Sequence, residues 1–226
     1  RKQHDPALKM IHDVTKAYDP TRPCIDVSGN FHVTGEIFDV HNYEQDPEKF
    51  DALNDKLIKY EEITDRIEFE IATYLNEVSK NEISNEAANE IKAMYKIIGE
   101  MESLGDSGEA IGRILKRKNV HGKVFDKSIL DRLNKMMDLV QKAYDVMIEN
   151  LKQDNLRDIS NAENCEYNIN ECRNHLREEH IVNIESNSYN YLTGVYFMDV
   201  LSELEKIGDF LINVSQAIVG KYDYEN

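Results

Sequence analysis

Pro47 is the last proline in this chain of 226 residues. Everything after it lacks the one residue that helix interiors do not tolerate, since proline has no amide hydrogen and its ring strikes the preceding turn. Apolar residues in this stretch also recur at alternating spacings of four and three. Leu53, Leu57, Tyr60, Thr64, Ile67, Ile71, Tyr74 and Val78 form the first such stripe. Side chains at these spacings share one helix face, so the stripe reads as the seam of a helix lying against near-parallel neighbours.

Four more helices are legible in the same way. Ser84 is placed to cap the second, whose stripe runs through Ala87, Ile91, Met94, Ile98, Met101, Gly105, Gly108 and Leu115. The third follows Asp126, with Leu130, Leu133, Met137, Val140, Tyr144, Met147 and Leu151 inward. A fourth spans about 158–178, with Ile159, Ala162, Ile169, Cys172 and Leu176 on its apolar face. A fifth runs from about 186 to 219, where Gly220 is a natural stop. Short polar links between long helices imply antiparallel neighbours, so the fold class is all-α. The methionines and tyrosines of these stripes read as core. Cys165 and Cys172 read as small core residues, and three cysteines imply no disulfide framework. Arg113, Lys116, Arg117 and Lys118 end the second helix, where cations complement the helix dipole.

Residues 1–50 are written differently and hold all four prolines. Asp5-Pro6 starts a helix with Leu8, Ile11, Val14 and Tyr18 on one side, stopped at Asp19-Pro20. Cys24–Val27 and Ile37–Val40 read as short buried strands. The net charge of −16 argues against nucleic acid and anionic lipid as partners, because both need a basic surface. It suits a protein that attracts cations, or one that simply stays soluble, which is the commoner reason for such a charge. No apolar run approaches a membrane span and no signal peptide is visible. A cytoplasmic location is the default, with any tether to the inner face of the membrane supplied from outside this chain.

The most informative feature is an internal repeat. Glu102-Ser-Leu-Gly-Asp106 recurs as Glu205-Lys-Ile-Gly-Asp209, each preceded two residues earlier by another glutamate, Glu100 and Glu203. On a helix, the outer two carboxylates lie on one face a turn apart. They repel by roughly a few tenths of a kcal/mol, and the glycine between them costs about 1 kcal/mol against alanine. Its expected use is close approach of a neighbouring helix. Glu61 and Asp65, with Glu68 a turn further, give the preceding helix a similar acidic pair. Two facing pairs of this kind can surround a hard cation such as iron, manganese, magnesium or calcium. Solvated faces of an acidic protein look the same by spacing.

Met101–Ile114 and Leu204–Ser215 resemble the two signature helices of the PhoU family, and Tyr60–Glu68 resembles the helix before the first signature. Tyr191–Asp199 is similar to the PhoU-like C-terminal region of bacterial sodium/phosphate cotransporters. The resemblance covers residues 51–226. It implies tandem three-helix bundles whose acidic motifs bind iron or zinc, with manganese also compatible. Carried over, Glu61, Asp65, Glu102 and Asp106 serve one metal site, and Glu205 and Asp209 serve the other. The partner helix of the second site differs, offering Glu163, Glu166 and Tyr167 where the first has Glu61 and Asp65. The implied role is a non-catalytic regulatory or accessory domain for phosphate transport. Its partners would be a phosphate transporter or its regulatory components, and a homo-oligomer is compatible with this.

In this family a motif-free helix precedes the first acidic helix, and here residues 1–50 stand in its place. Lys16–Pro23, Val27–Asn30 and Asp39–Pro47 instead resemble part of a glycoside hydrolase family 2 barrel. That fragment brings neither catalytic glutamate, and a closed barrel needs eight strands. Asp39, His41 and Tyr43 are therefore expected to be inherited sequence without function. The join near Phe50 cuts both resemblances in mid-domain, which points to a chimeric or mis-assembled sequence. Two other readings stand beside the regulatory one: a glycoside hydrolase fragment fused to a helical bundle, and a plain helical interaction module without metal.

Overall fold

A computed structural model describes residues 47–153, 156–185 and 190–220. They form five helices: α1 (Pro47–Ser79), α2 (Asn85–Val120), α3 (Lys127–Leu151), α4 (Ser160–Glu185) and α5 (Tyr191–Ile218). There is no strand among the described residues. The expected helix 5–18, the strands 24–27 and 37–40, and Asp39, His41 and Tyr43 lie outside them.

Local chemistry sets the ends. Ser84 accepts the amide of Ala87 at 3.2 Å, and the Asp126 carboxylate accepts that of Ile129 at 2.8 Å. Each satisfies an amide that the first turn of a helix leaves without a partner. Asn190 does the same for Leu192 at 3.0 Å. The fifth helix therefore begins at Tyr191, a few residues later than its apolar spacing suggests. Gly220 ends it with a φ of 68°, a left-handed conformation that glycine adopts without steric cost.

α3, α4 and α5 all touch one another and build a three-helix bundle. Asn150 meets Ser215, and Arg132 lies over the Phe197 ring, so α3 and α5 run parallel with α4 returning between them. Beyond the bundle, α5 packs on α2, and α2 packs on α1. Contacts from Asn213 to Glu100 and from Ser107 to Glu203 make α2 and α5 antiparallel. α1 and α2 are antiparallel as well: the Tyr95 hydroxyl donates to the Ala72 carbonyl at 3.1 Å, and Thr64 faces Gly105. Among the described helices, α1 touches α2 alone.

This layout decides which apolar residues are inside. The fully buried side chains include Ile129, Leu133, Met136, Met147, Ile159, Phe197, Leu201 and Leu204, most of them in the α3–α5 bundle. On α3 the buried line is Ile129, Leu133, Met136, Val140, Ala143 and Met147. The expected stripe is thus rotated by about one residue: Leu130, Met137 and Tyr144 are half-buried and Leu151 is exposed. The reason is that α3 sits in a groove between two helices, and the groove fixes the angle of its face. On α1 the expected seam is only partly covered. Ile67 and Tyr74 are exposed, while Phe50 and Leu75 are buried, as follows for a helix with a single described neighbour. Met94 on α2 is also exposed. The α4 stripe is buried throughout, and so is Cys165; neither it nor Cys172 is in a disulfide.

Candidate metal centre

The glycine of each acidic repeat sits where two helices come closest. A Cβ on Gly105 would collide with the Thr64 hydroxyl of α1. A Cβ on Gly208 would meet the Ile169 side chain of α4 at 3.0 and 3.1 Å. Gly108, the other glycine of the expected α2 stripe, only grazes Leu57 at 4.0 Å, whereas a Cβ on Gly112 would meet Asn54 at 2.8 Å. The pairs α1–α2 and α4–α5 are therefore built alike about Gly105 and Gly208. Thr64 opposite Gly105 corresponds to Ile169 opposite Gly208. Counting from these contacts, Glu61, Asp65 and Glu68 on α1 correspond to Glu166, Asn170 and Arg173 on α4.

At the first pair, carboxylate oxygens of Glu61, Asp65 and Asp106 all lie within 4.8 Å of one another. That spread lets one ion of ordinary metal–oxygen distance reach all three. Glu61 is half-buried; Asp65 and Asp106 are exposed. Glu102 stands outside the triad, with its carboxylate accepting from Ser103 at 3.3 Å. It still feels the cluster. Burial raises its pKa, as do Asp106, Glu68 and Asp65, against a lowering contribution from Ser103. Burial likewise raises Glu61, reinforced by Asp65, Glu109 and Asp106. Like charges in one site disfavour ionisation, and a cation would relieve exactly that repulsion. Among the described residues, none of the ion pairs involves Glu61, Asp65, Glu102 or Asp106; the nearby Arg113 is bound to Glu109 at 2.7 Å. The donor set, all carboxylate, fits a hard cation.

The second pair is furnished differently. Arg173 donates to the Glu205 carboxylate, and both side chains are partly buried. Asn170 donates to Glu166 at 2.6 Å. Asp209 is pushed up to about 6, first by burial, then by Glu205 and Glu166, with Arg173 pulling it back down. Glu205 and Asp209 do not join a third metal-ligating side chain among the described residues as Asp106 does. Of the three residues offered by spacing, Glu163 and Tyr167 are exposed positions in the first half of α4, and only Glu166 is half-buried, at the position corresponding to Glu61. Arg173 and Asn170 were legible in principle, since Glu61, Asp65 and Glu68 share their spacing with Glu166, Asn170 and Arg173. Only a search restricted to carboxylates passes over them.

The basic run ending α2 is not a uniform surface. Lys118 is buried, its ammonium lies 4.7 Å from the Phe125 ring centroid, and burial lowers its pKa.

Residues 133–218 match the family model described as the PhoU domain. The matched stretch is similar to the PhoU domain. It runs from the first turns of α3 to the end of α5 and so takes in most of the three-helix bundle, including the second acidic repeat. Comparisons with curated proteins and with solved structures give no match.

Proposed function

We propose that the chain is a non-catalytic, PhoU-like regulatory or accessory domain for phosphate transport, acting through a bound metal ion and protein contacts. The PhoU domain match over residues 133–218 is the observation that carries this reading. The convergence of Glu61, Asp65 and Asp106 supports its metal-binding half. Glu102 borders that triad and adds negative charge to it. The all-oxygen set suits iron, and zinc or manganese also accept such ligands. The PhoU-like region has no turnover of its own. Its partners are a phosphate transporter or the transporter's regulatory components, on the cytoplasmic side. No helix among the described residues is long and apolar enough to cross a membrane.

Exposure of Asp65 and Asp106 favours a second reading, a helical interaction module whose acidic face holds only water and counter-ions. Metal analysis separates the two. Protein purified without chelator should carry iron, zinc or manganese, and Asp106→Asn should carry less while keeping its helical circular dichroism. A parent that holds none of these metals and takes none up on addition leaves only the interaction module.

A further inference from the structure

The family resemblance implies a metal at both acidic repeats, but the side chains at the second do not suit one. In the first repeat three carboxylates meet, Glu61 and Asp65 from α1 and Asp106 from α2, with the charges of Glu68 and Glu102 close by. In the second, the corresponding α4 positions are Glu166, Asn170 and Arg173. One carboxylate has become an amide and another a guanidinium, so a positive charge stands where the first repeat has a negative one.

We propose that Arg173 is the resident cation of the second repeat, taking there the place that a metal ion takes in the first. The guanidinium donates to Glu205, the counterpart of Glu102. The same side chain donates twice to Asn174, from Nε at 3.3 Å and Nη2 at 3.2 Å, which fixes its plane. Arg173 and Glu205 are 24% and 19% exposed, so water screens the pair weakly. Arginine keeps its charge at every pH a protein survives. A metal ion at Glu205 and Asp209 would have to break a charge-assisted bond, and it would leave a partly buried guanidinium unpaired. Asn170, already spent on Glu166, offers no anionic ligand in exchange. The two repeats thus share one frame but differ in their cation: exchangeable at α1–α2, covalently built in at α4–α5. The comparison with α1–α2 rests on the metal reading above; the role of Arg173 does not.

The test is a titration of the full chain with Mn²⁺, counting bound ions in the parent and in variants. Asp209→Asn and Glu205→Gln should bind as much Mn²⁺ as the parent. Arg173→Gln should gain an additional Mn²⁺, which is lost again when Asp209→Asn is combined with it. Arg173→Lys, which keeps the charge, should gain none. Melting temperatures in metal-free buffer provide a second measurement that needs no metal. Losses from Arg173→Gln and Glu205→Gln should be strongly non-additive in the double variant. Loss of Mn²⁺ from the parent on Asp209→Asn overturns the proposal. A folded Arg173→Gln that gains no ion overturns it too, as does strict additivity of the two melting losses. A parent that binds no Mn²⁺ beside an Arg173→Gln that does would sink the metal reading of the first repeat and uphold this one.

Discussion

Gly105 is a residue at which one atom decides the packing of two helices. Its missing Cβ leaves room for the Thr64 hydroxyl, which itself donates back to the Glu61 carbonyl at 2.8 Å. Gly105→Leu should overpack that contact and destabilise the protein by about 1–3 kcal/mol. The urea midpoint should fall accordingly, and an unchanged midpoint would mean that the helices can part without loss. Asp209 illustrates the electrostatic counterpart. Its folded pKa stands at about 6, above the ordinary 3.8. The folded state therefore binds a proton more tightly than the unfolded state between those values, and stability falls as pH rises through the window. Asp209→Asn removes this slope. Parent and variant should differ most above pH 6 and converge toward pH 4 in their denaturation midpoints.

Helix ends and faces obey different rules. The ends are local: Ser84, Asp126 and Gly220 act within a turn of themselves, and each does in the fold what its position in the sequence suggests. Faces depend on neighbours. α3 carries a polar residue, Asn150, on its most buried line, fully removed from solvent. It donates to Ser215 of α5 at 3.2 Å and exchanges hydrogen bonds with Asn161 of α4. One amide thereby ties the three helices of the bundle together at one end. Asn150→Ala should cost about 1–3 kcal/mol, because it leaves the buried Ser215 hydroxyl short of a partner. Thermal melting checks this, and a loss much below that range would mean that the neighbours re-pair among themselves.

At the scale of the molecule, an acidic chain has two matched helix pairs with different ways of holding their charge. If a cation sits at Glu61, Asp65 and Asp106, a chelator should lower the melting temperature of the parent more than that of Asp106→Asn. At a hundred times the dissociation constant, a ligand specific for the folded state adds about 2.7 kcal/mol. Identical melting with and without chelator would leave the cluster a solvated face. A separate expectation concerns residues 1–50. The catalytic carboxylate pair of a glycosidase is missing from that stretch, and both members are needed for the chemistry. The full chain at high concentration should turn over no aryl-glycoside. Turnover that disappears on substitution of Asp39 or His41 would restore the hydrolase reading.

By itself the sequence determined what is local or periodic: five long helices from Pro47 on, the ends set by Ser84, Asp126 and Gly220, the core of α4, and the repeat glycines Gly105 and Gly208 as points of close helix contact. Proline exclusion, capping and the 3.6-residue turn act over a few residues and need no partner to be recognised. It also held the acidic repeat and the family likeness that the match over residues 133–218 upholds in part. Tertiary structure alone decided the rest. Periodicity fixes a helix face only to within about one residue, so the groove between α4 and α5 chose Ile129 over Leu130. Spacing along one helix cannot say which carboxylates of another stand opposite. The closeness of α1 and α2 at Gly105 gathered Glu61, Asp65 and Asp106 and left Glu102 to Ser103. The same approach at Gly208 set Arg173 against Glu205, because electrostatic partners are defined by distance through space, which the chain acquires only on folding.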